Sequence, residues 1–189
     1  QALGDAQLET SVYRNDIDNL IAFSGSKPEN VGKARINGFE SSISSDLLGW
    51  QTALSLSLID PRNRENGQTL QLTSRRSLSL DTDRRFGAFS AGASWRAVSK
   101  SYDYSITDSN YETTRQTVPG YGLIDLRSSW QASQSVRFDL QLNNVLDRDY
   151  YTAYYQRFDP NYIQAPGDAY GYQEPGRTAL LALNWTPDI

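Results

Sequence analysis

Val136-Arg137-Phe138-Asp139-Leu140-Gln141-Leu142-Asn143 alternates apolar and polar side chains without a break. In an extended strand successive side chains point to opposite faces. Val136, Phe138, Leu140 and Leu142 therefore form an oily face, and Arg137, Asp139, Gln141 and Asn143 a wet one. The pattern spreads outward from there. Thr52, Leu54, Leu56 and Leu58 alternate with Gln51, Ala53, Ser55 and Ser57. Phe89, Ala91, Ala93, Trp95 and Ala97 share one side of a segment at about 86–101, and Ile124, Leu126 and Trp130 alternate with Asp125, Arg127 and Ser129 at about 119–131. Further strands are expected at about 6–22, 32–46, 50–60, 69–82, 135–148 and 175–186, about eight in all. Between Ile36 and Phe39 the alternation changes phase, which predicts a bulge near Gly38. In the last strand Leu181, Leu183 and Trp185 oppose Thr178, Ala182 and Asn184, and Leu180 joins the wet face.

The connections alternate in length. Turns near 46–49, 82–85 and 132–134 are tight and polar, whereas segments near 24–31, 61–68, 101–118 and 149–174 are long and rich in Asp, Asn, Ser, Tyr, Pro and Gly. Short turns on one side and long loops on the other are the habit of a membrane-spanning antiparallel barrel. The predicted class is thus all-β, made of antiparallel transmembrane barrel strands. Composition agrees. Only 38% of residues are hydrophobic and mean hydropathy is −0.60, yet there are 12 Tyr and 4 Trp. A soluble sandwich needs a dry core, while a wide barrel turns its oily face to lipid and keeps a polar lumen. Arg75, Asp81 and Arg127 cost little in such a lumen, and Trp50, Phe86 and Trp130 suit an interfacial aromatic girdle. No run of about 18 apolar residues is present, so no transmembrane helix is expected.

Several function classes recede. With no Cys and no His, thiolate metal sites and the commonest general base are missing. A net charge of −4 gives no basic face for nucleic acid. Asp81 and Asp83 are expected at a turn. Binding is the better prospect. Tyr150, Tyr151, Tyr154, Tyr155, Phe158, Tyr162, Tyr170 and Tyr172 crowd one long loop with Arg148 and Arg157. Tyrosine offers a rigid apolar face and a hydroxyl, which suits capture of a large amphipathic ligand; packing of the loop on itself is the competing role. Arg62, Arg64, Tyr102, Tyr104 and Tyr111 are the further candidates on neighbouring loops. Asp103, Asp108 and Glu112 could recruit a hard cation such as calcium, against the simpler role of solvated loop charge. No other cofactor is expected.

Three segments carry a resemblance. Val12-Tyr13-Arg14-Asn15-Asp16-Ile17-Asp18-Asn19-Leu20-Ile21, Gly32-Lys33-Ala34-Arg35-Ile36-Asn37-Gly38-Phe39-Glu40 and Leu142-Asn143-Asn144-Val145-Leu146-Asp147-Arg148-Asp149-Tyr150 resemble successive elements of the C-terminal barrel of TonB-dependent outer-membrane transporters, with Pro175-Gly176-Arg177 leading into a last strand. Within that family, Leu58-Ile59-Asp60-Pro61-Arg62-Asn63 and Pro119-Gly120-Tyr121-Gly122-Leu123-Ile124-Asp125-Leu126-Arg127 look most like the cobalamin (vitamin B12) transporters. Siderophore receptors share the skeleton. The resemblance implies a bacterial outer-membrane location, active uptake of cobalamin or a similar metal chelate, and contacts from the loops that hold Arg62, Tyr111 and Tyr172.

Family barrels have about 22 strands around a plug. The resemblance therefore implies that residues 1–189 form a C-terminal barrel segment without the plug, reaching the TonB complex only through that missing domain. The start at Gln1 has no initiator Met or signal region, so an exported protein is expected to have carried a leader or further sequence ahead of it. Family barrels commonly end in an aromatic residue; here Trp185 is followed by Thr186-Pro187-Asp188-Ile189, so that signal is expected to be either lost or moved inward. Eight strands alone close only around packed side chains, and an open edge is unfavourable in lipid. The segment is therefore expected to work within a larger barrel. The rivals are an autonomous small outer-membrane barrel and a soluble β-sandwich binding module.

Overall fold

The structure, a computed structural model, describes residues 6–19, 21–24, 27–30, 32–106, 113–155 and 170–187. Its strands, in chain order, are β1 (Ala6–Asp18), β2 (Ile21–Ser24), β3 (Lys27–Asn30), β4 (Lys33–Leu47), β5 (Trp50–Asn63), β6 (Arg76–Phe86), β7 (Phe89–Val98), β8 (Ser101–Ile106), β9 (Thr113–Val118), β10 (Tyr121–Gln131), β11 (Val136–Asn143), β12 (Tyr151–Tyr155), β13 (Tyr170–Gln173) and β14 (Thr178–Trp185). Eight of them form one antiparallel sheet in the order β1-β4-β5-β6-β7-β10-β11-β14. The other six pair as hairpins, β2-β3, β8-β9 and β12-β13, at the long-loop end. Segments expected as irregular loops thus continue as strands. Ser-Tyr-Asp-Tyr-Ser-Ile alternates on its own account, and it pairs with Thr-Thr-Arg-Gln-Thr-Val from Ser101↔Val118 to Ile106↔Thr113. The sheet is open, with β1 and β14 as its edges.

Register assigns every side chain of the sheet to a face. Leu8, Ile43, Leu54, Leu80, Trp95 and Ile124 stand opposite one another on six successive strands. Phe86, Phe89, Trp130, Phe138 and Leu183 form a second such row at the short-turn end. Phe89 and Trp130 stack at 5.7 Å, as do Trp130 and Phe138, while Trp50 meets Phe86 edge-on at 5.9 Å. Facing rings at one level give the aromatic girdle its physical form. Val12 is 78% exposed and Leu181 70%; among the described residues no second sheet covers this face, as a sandwich would require. All four Trp residues, Trp50, Trp95, Trp130 and Trp185, lie on it.

The opposite face is polar. Glu9, Ser42, Ser55, Ser79 and Arg96 make one continuous row and line a concave groove. Arg127 donates through Nε to Asp83 Oδ1 at 2.8 Å and through Nη1 to Ser94 Oγ at 2.6 Å, with the Asp81 carboxylate 3.5 Å away. Asp81 and Asp83 therefore lie on a strand wall rather than at a turn. Thr82, Arg84 and Phe86 keep the period-two pattern going, and the chain reverses at Gly87, whose φ is +61°. The run of charges looked like a turn because its inward half is wetted by a lumen.

Gly38 is not at a bulge. Pairing runs unbroken through Tyr13↔Gly38 and Gly38↔Ile59. Glycine is required for room: a Cβ there would lie 2.2 Å from Tyr13 Cζ, since the Tyr13 ring crosses its neighbour and donates to Glu40 Oε1 at 3.1 Å. The phase change has another cause. Beyond Val12, Phe39 and Leu58, the face that carried the apolar band carries Arg14, Asp16, Asp18, Lys33, Arg35, Asn37, Asp60 and Arg62, while the other carries Ile17, Ala34, Ile36, Ile59 and Pro61. Backbone register is constant and the surroundings exchange. Outside the hydrocarbon the outer surface meets headgroups and water, and the inner surface packs under the hairpins. Ala34, Pro61, Thr69, Ser101, Val118 and Leu123, all buried, mark that small core. The strand expected at 69–82 starts only at Arg76, because residues up to Arg75 cap this core and Leu72 has φ +52°.

Candidate functional site at the outer hairpins

Two buried side chains join the long connections. Asp103, on β8, is 3% exposed. It accepts from Gln71 Nε2 and from the backbone N–H of Tyr154 at 2.8 Å. The Leu72 N–H donates to the Tyr102 carbonyl at 2.7 Å, and the Tyr154 hydroxyl to the Thr117 carbonyl at 3.2 Å. The 64–75 segment, β8-β9 and β12-β13 are therefore one cross-linked assembly. A buried carboxylate satisfied by donors from two other segments holds them in register.

Asn144 does the same one layer down. It is 4% exposed with φ +49°. Its Oδ1 accepts the Arg148 N–H at 2.9 Å, and its Nδ2 donates to the carbonyls of Arg148 at 2.9 Å and Pro175 at 3.4 Å. Asp147 Oδ1 accepts the Arg177 N–H at 2.7 Å. The Asn-Asn-Val-Leu-Asp segment thus clamps the end of β11 to the run into β14.

Aromatic and cationic groups crowd this scaffold. The Arg115 guanidinium lies 3.8 Å above the centre of the Tyr102 ring, and Lys100 Nζ lies 5.8 Å from it. Tyr121 and Tyr150 rings are 4.6 Å apart, and Tyr151 and Tyr154 are 6.5 Å apart. Burial, then the Glu174 carboxylate, pushes the Tyr150 hydroxyl above its ordinary range. Tyr172 is 55% exposed. Rigid rings, hydroxyls and guanidinium suit adhesion to a large amphipathic molecule.

Of the residues singled out from the sequence, Tyr102 and Tyr172 take part in this assembly, and Tyr104 and Tyr170 contribute backbone to β8 and β13. Tyr111, Arg157 and Tyr162 lie outside the described residues, as do Asp108 and Glu112 of the cation expectation. Among the described residues, no group of three or more acidic side chains is arranged to hold a metal ion. Arg62 and Arg64 stand elsewhere, on the outward rim. Arg62 donates through Nε to Asp60 Oδ1 at 2.9 Å and through Nη1 to the Gly67 carbonyl at 3.1 Å, and Arg64 Nη1 lies 3.9 Å from Asp16. Sequence reasoning missed Gln71, Arg115 and Thr117. Neither Arg115 nor Thr117 carries a local signal, since 113–118 is polar throughout except for Val118.

An antiparallel sheet with an exposed oily face, a girdle at its short-turn end and a wet, grooved opposite face is the wall of a membrane β-barrel. Residues 2–145 match the family of TonB dependent receptor-like β-barrels. The chain belongs to that family, as a stretch of receptor barrel of the bacterial outer membrane. Solved structures agree in fold. Pseudomonas aeruginosa FpvA in complex with a heterologous pyoverdine and iron superposes with a TM-score of 0.73 at 21% identity over 95% of this chain and 24% of that one. The siderophore receptor PiuA from Acinetobacter baumannii gives 0.69 at 20% identity over 95% and 26%. The copper transporter OprC gives 0.72 at 22% identity over 96% and 29%. The chain spans about a quarter of the length of these receptors.

Proposed function

We propose that this chain is a barrel segment, C-terminal in its parent, of an active transporter that captures a large metal chelate at the cell surface. Uptake would be driven through the TonB complex by a plug supplied elsewhere in that parent. The observation that carries the reading is the Asp103-centred assembly, which holds tyrosine and arginine side chains on three cross-linked segments. Cobalamin is favoured by the likeness of the Asp60-Pro61-Arg62 and Pro119–Arg127 segments. A ferric siderophore fits at least as well, since the similar solved structures include siderophore receptors.

Calorimetry of the full-length parent against cobalamin and a ferric siderophore panel tests both. Saturable binding of one chelate, weakened by Tyr102→Ala, is expected. Binding confined to a ferric siderophore would end the cobalamin reading, and no binding to any metal chelate would end the proposal.

A further inference from the structure

The outward rim carries more positive charge than its own carboxylates neutralise. Asp16 takes Arg35 Nε at 2.6 Å and Arg14 Nε at 2.8 Å, with Arg64 Nη1 at 3.9 Å. Asp60 Oδ1 takes Arg62 Nε at 2.9 Å and Arg75 Nη2 at 2.8 Å. Five guanidiniums thus share two carboxylates, on a chain whose net charge is −4. Asp18 stands opposite Lys33 across the β1-β4 ladder. Arg76 adds a further cation at the level of Leu58.

Position matters as much as charge. Arg14, Arg35 and Arg62 follow the same outward parity as Val12, Phe39 and Leu58, within two to four residues of them. They lie where the apolar band ends, on the long-hairpin side, which is the external side of such barrels. A group at that height and facing outward meets lipid headgroups, not the lumen. Arg14 and Arg35 both engage Asp16 through Nε, so one carboxylate positions two guanidiniums. A planar fork held at the edge of hydrocarbon matches a phosphate monoester, which accepts two parallel N–H bonds.

We propose that Arg14, Arg35, Arg62 and Arg64 form a binding site for the phosphate groups of an anionic glycolipid in the outer leaflet, with Asp16 and Asp60 as the residues that position them. The site lies on the outer wall and does not depend on what the receptor imports.

Native mass spectrometry of the detergent-solubilised full-length parent tests this with diphosphoryl lipid A, its dephosphorylated form and inorganic phosphate as probes. The parent is expected to retain diphosphoryl lipid A over the dephosphorylated lipid. Each interfacial arginine contributes roughly fivefold, so Arg14→Gln with Arg35→Gln should weaken retention by about thirtyfold. Arg14→Lys with Arg35→Lys, which keeps charge without the fork, should lose less. Heat-modifiable electrophoretic mobility identifies folded barrels, and the Lys pair keeps the test open if the Gln pair does not fold. Equal retention by parent and Gln pair would overturn the proposal. So would equal retention of both lipids, or displacement of lipid by equimolar inorganic phosphate, which marks a free-anion site.

Discussion

Removing the Asn144 side chain should loosen one defined corner of the barrel by a calculable amount. In Asn144→Gly the left-handed backbone stays comfortable, so only the hydrogen bonds are lost. The Arg148 N–H loses its acceptor, and the carbonyls of Arg148 and Pro175 lose a donor. A buried donor left without a partner costs about 1–3 kcal/mol, while an orphaned carbonyl near a surface finds water more readily. About 2 kcal/mol is therefore expected, or roughly thirtyfold in the local opening equilibrium. Asn144→Ala should add about 1 kcal/mol, because alanine resists φ +49°. Amide hydrogen exchange on the parent receptor reads both. Exchange at Arg148 and Arg177 should rise by those factors while Leu140, lower on β11, is unchanged. Unaltered exchange at Arg148 in the glycine variant would refute the clamp.

Two further substitutions probe the walls. Leu54→Arg should destabilise the parent barrel by about 2–4 kcal/mol in vesicle-based denaturant unfolding, whereas Ser55→Arg, one residue on, should cost less than about 1 kcal/mol; similar costs would contradict the assigned faces. At Gly92, an added Cβ would lie 2.1 Å from Asp83 Oδ1 and 2.7 Å from Arg127 Nε. Gly92→Ala should separate that ion pair at a cost of about 1 kcal/mol, and cost much less once Arg127 is already Ala. Additive losses in the same unfolding assay would show that the glycine serves something else.

How much was legible depended on whether the environment stayed constant along a strand. β5, β7, β10 and β11 meet lipid on one side and lumen on the other through their apolar stretch, so period two located them within a few residues. Where the strand leaves the membrane, the same reasoning misfired. Ile36 and Phe39 fall on opposite faces because hydrocarbon ends between them, and no backbone irregularity is involved. At Asp81-Thr82-Asp83 a charged wall imitated a turn, since the sequence alone does not say that Arg127, distant in the chain, stands across from both acids. The outer hairpins were hidden by length and polarity, since within 101–118 only Ser101–Ile106 alternates. Side-chain locks such as Asp103 with Gln71 have no local signature, because their partners come from another connection. Candidate tyrosines were legible as a composition and not as a geometry.

Which way the oily face points is the claim beneath all of this. The chain contains no Cys, so single cysteines at Leu54, Leu140 and Leu183, and at Ser55, Asp139 and Ala182, can each carry a nitroxide in the vesicle-reconstituted parent. Labels at the three leucines should relax with lipid-soluble oxygen and be shielded from a water-soluble nickel chelate, and labels at the other three should show the reverse. Nickel access at Leu54, Leu140 and Leu183, with oxygen access at their neighbours, would contradict the account.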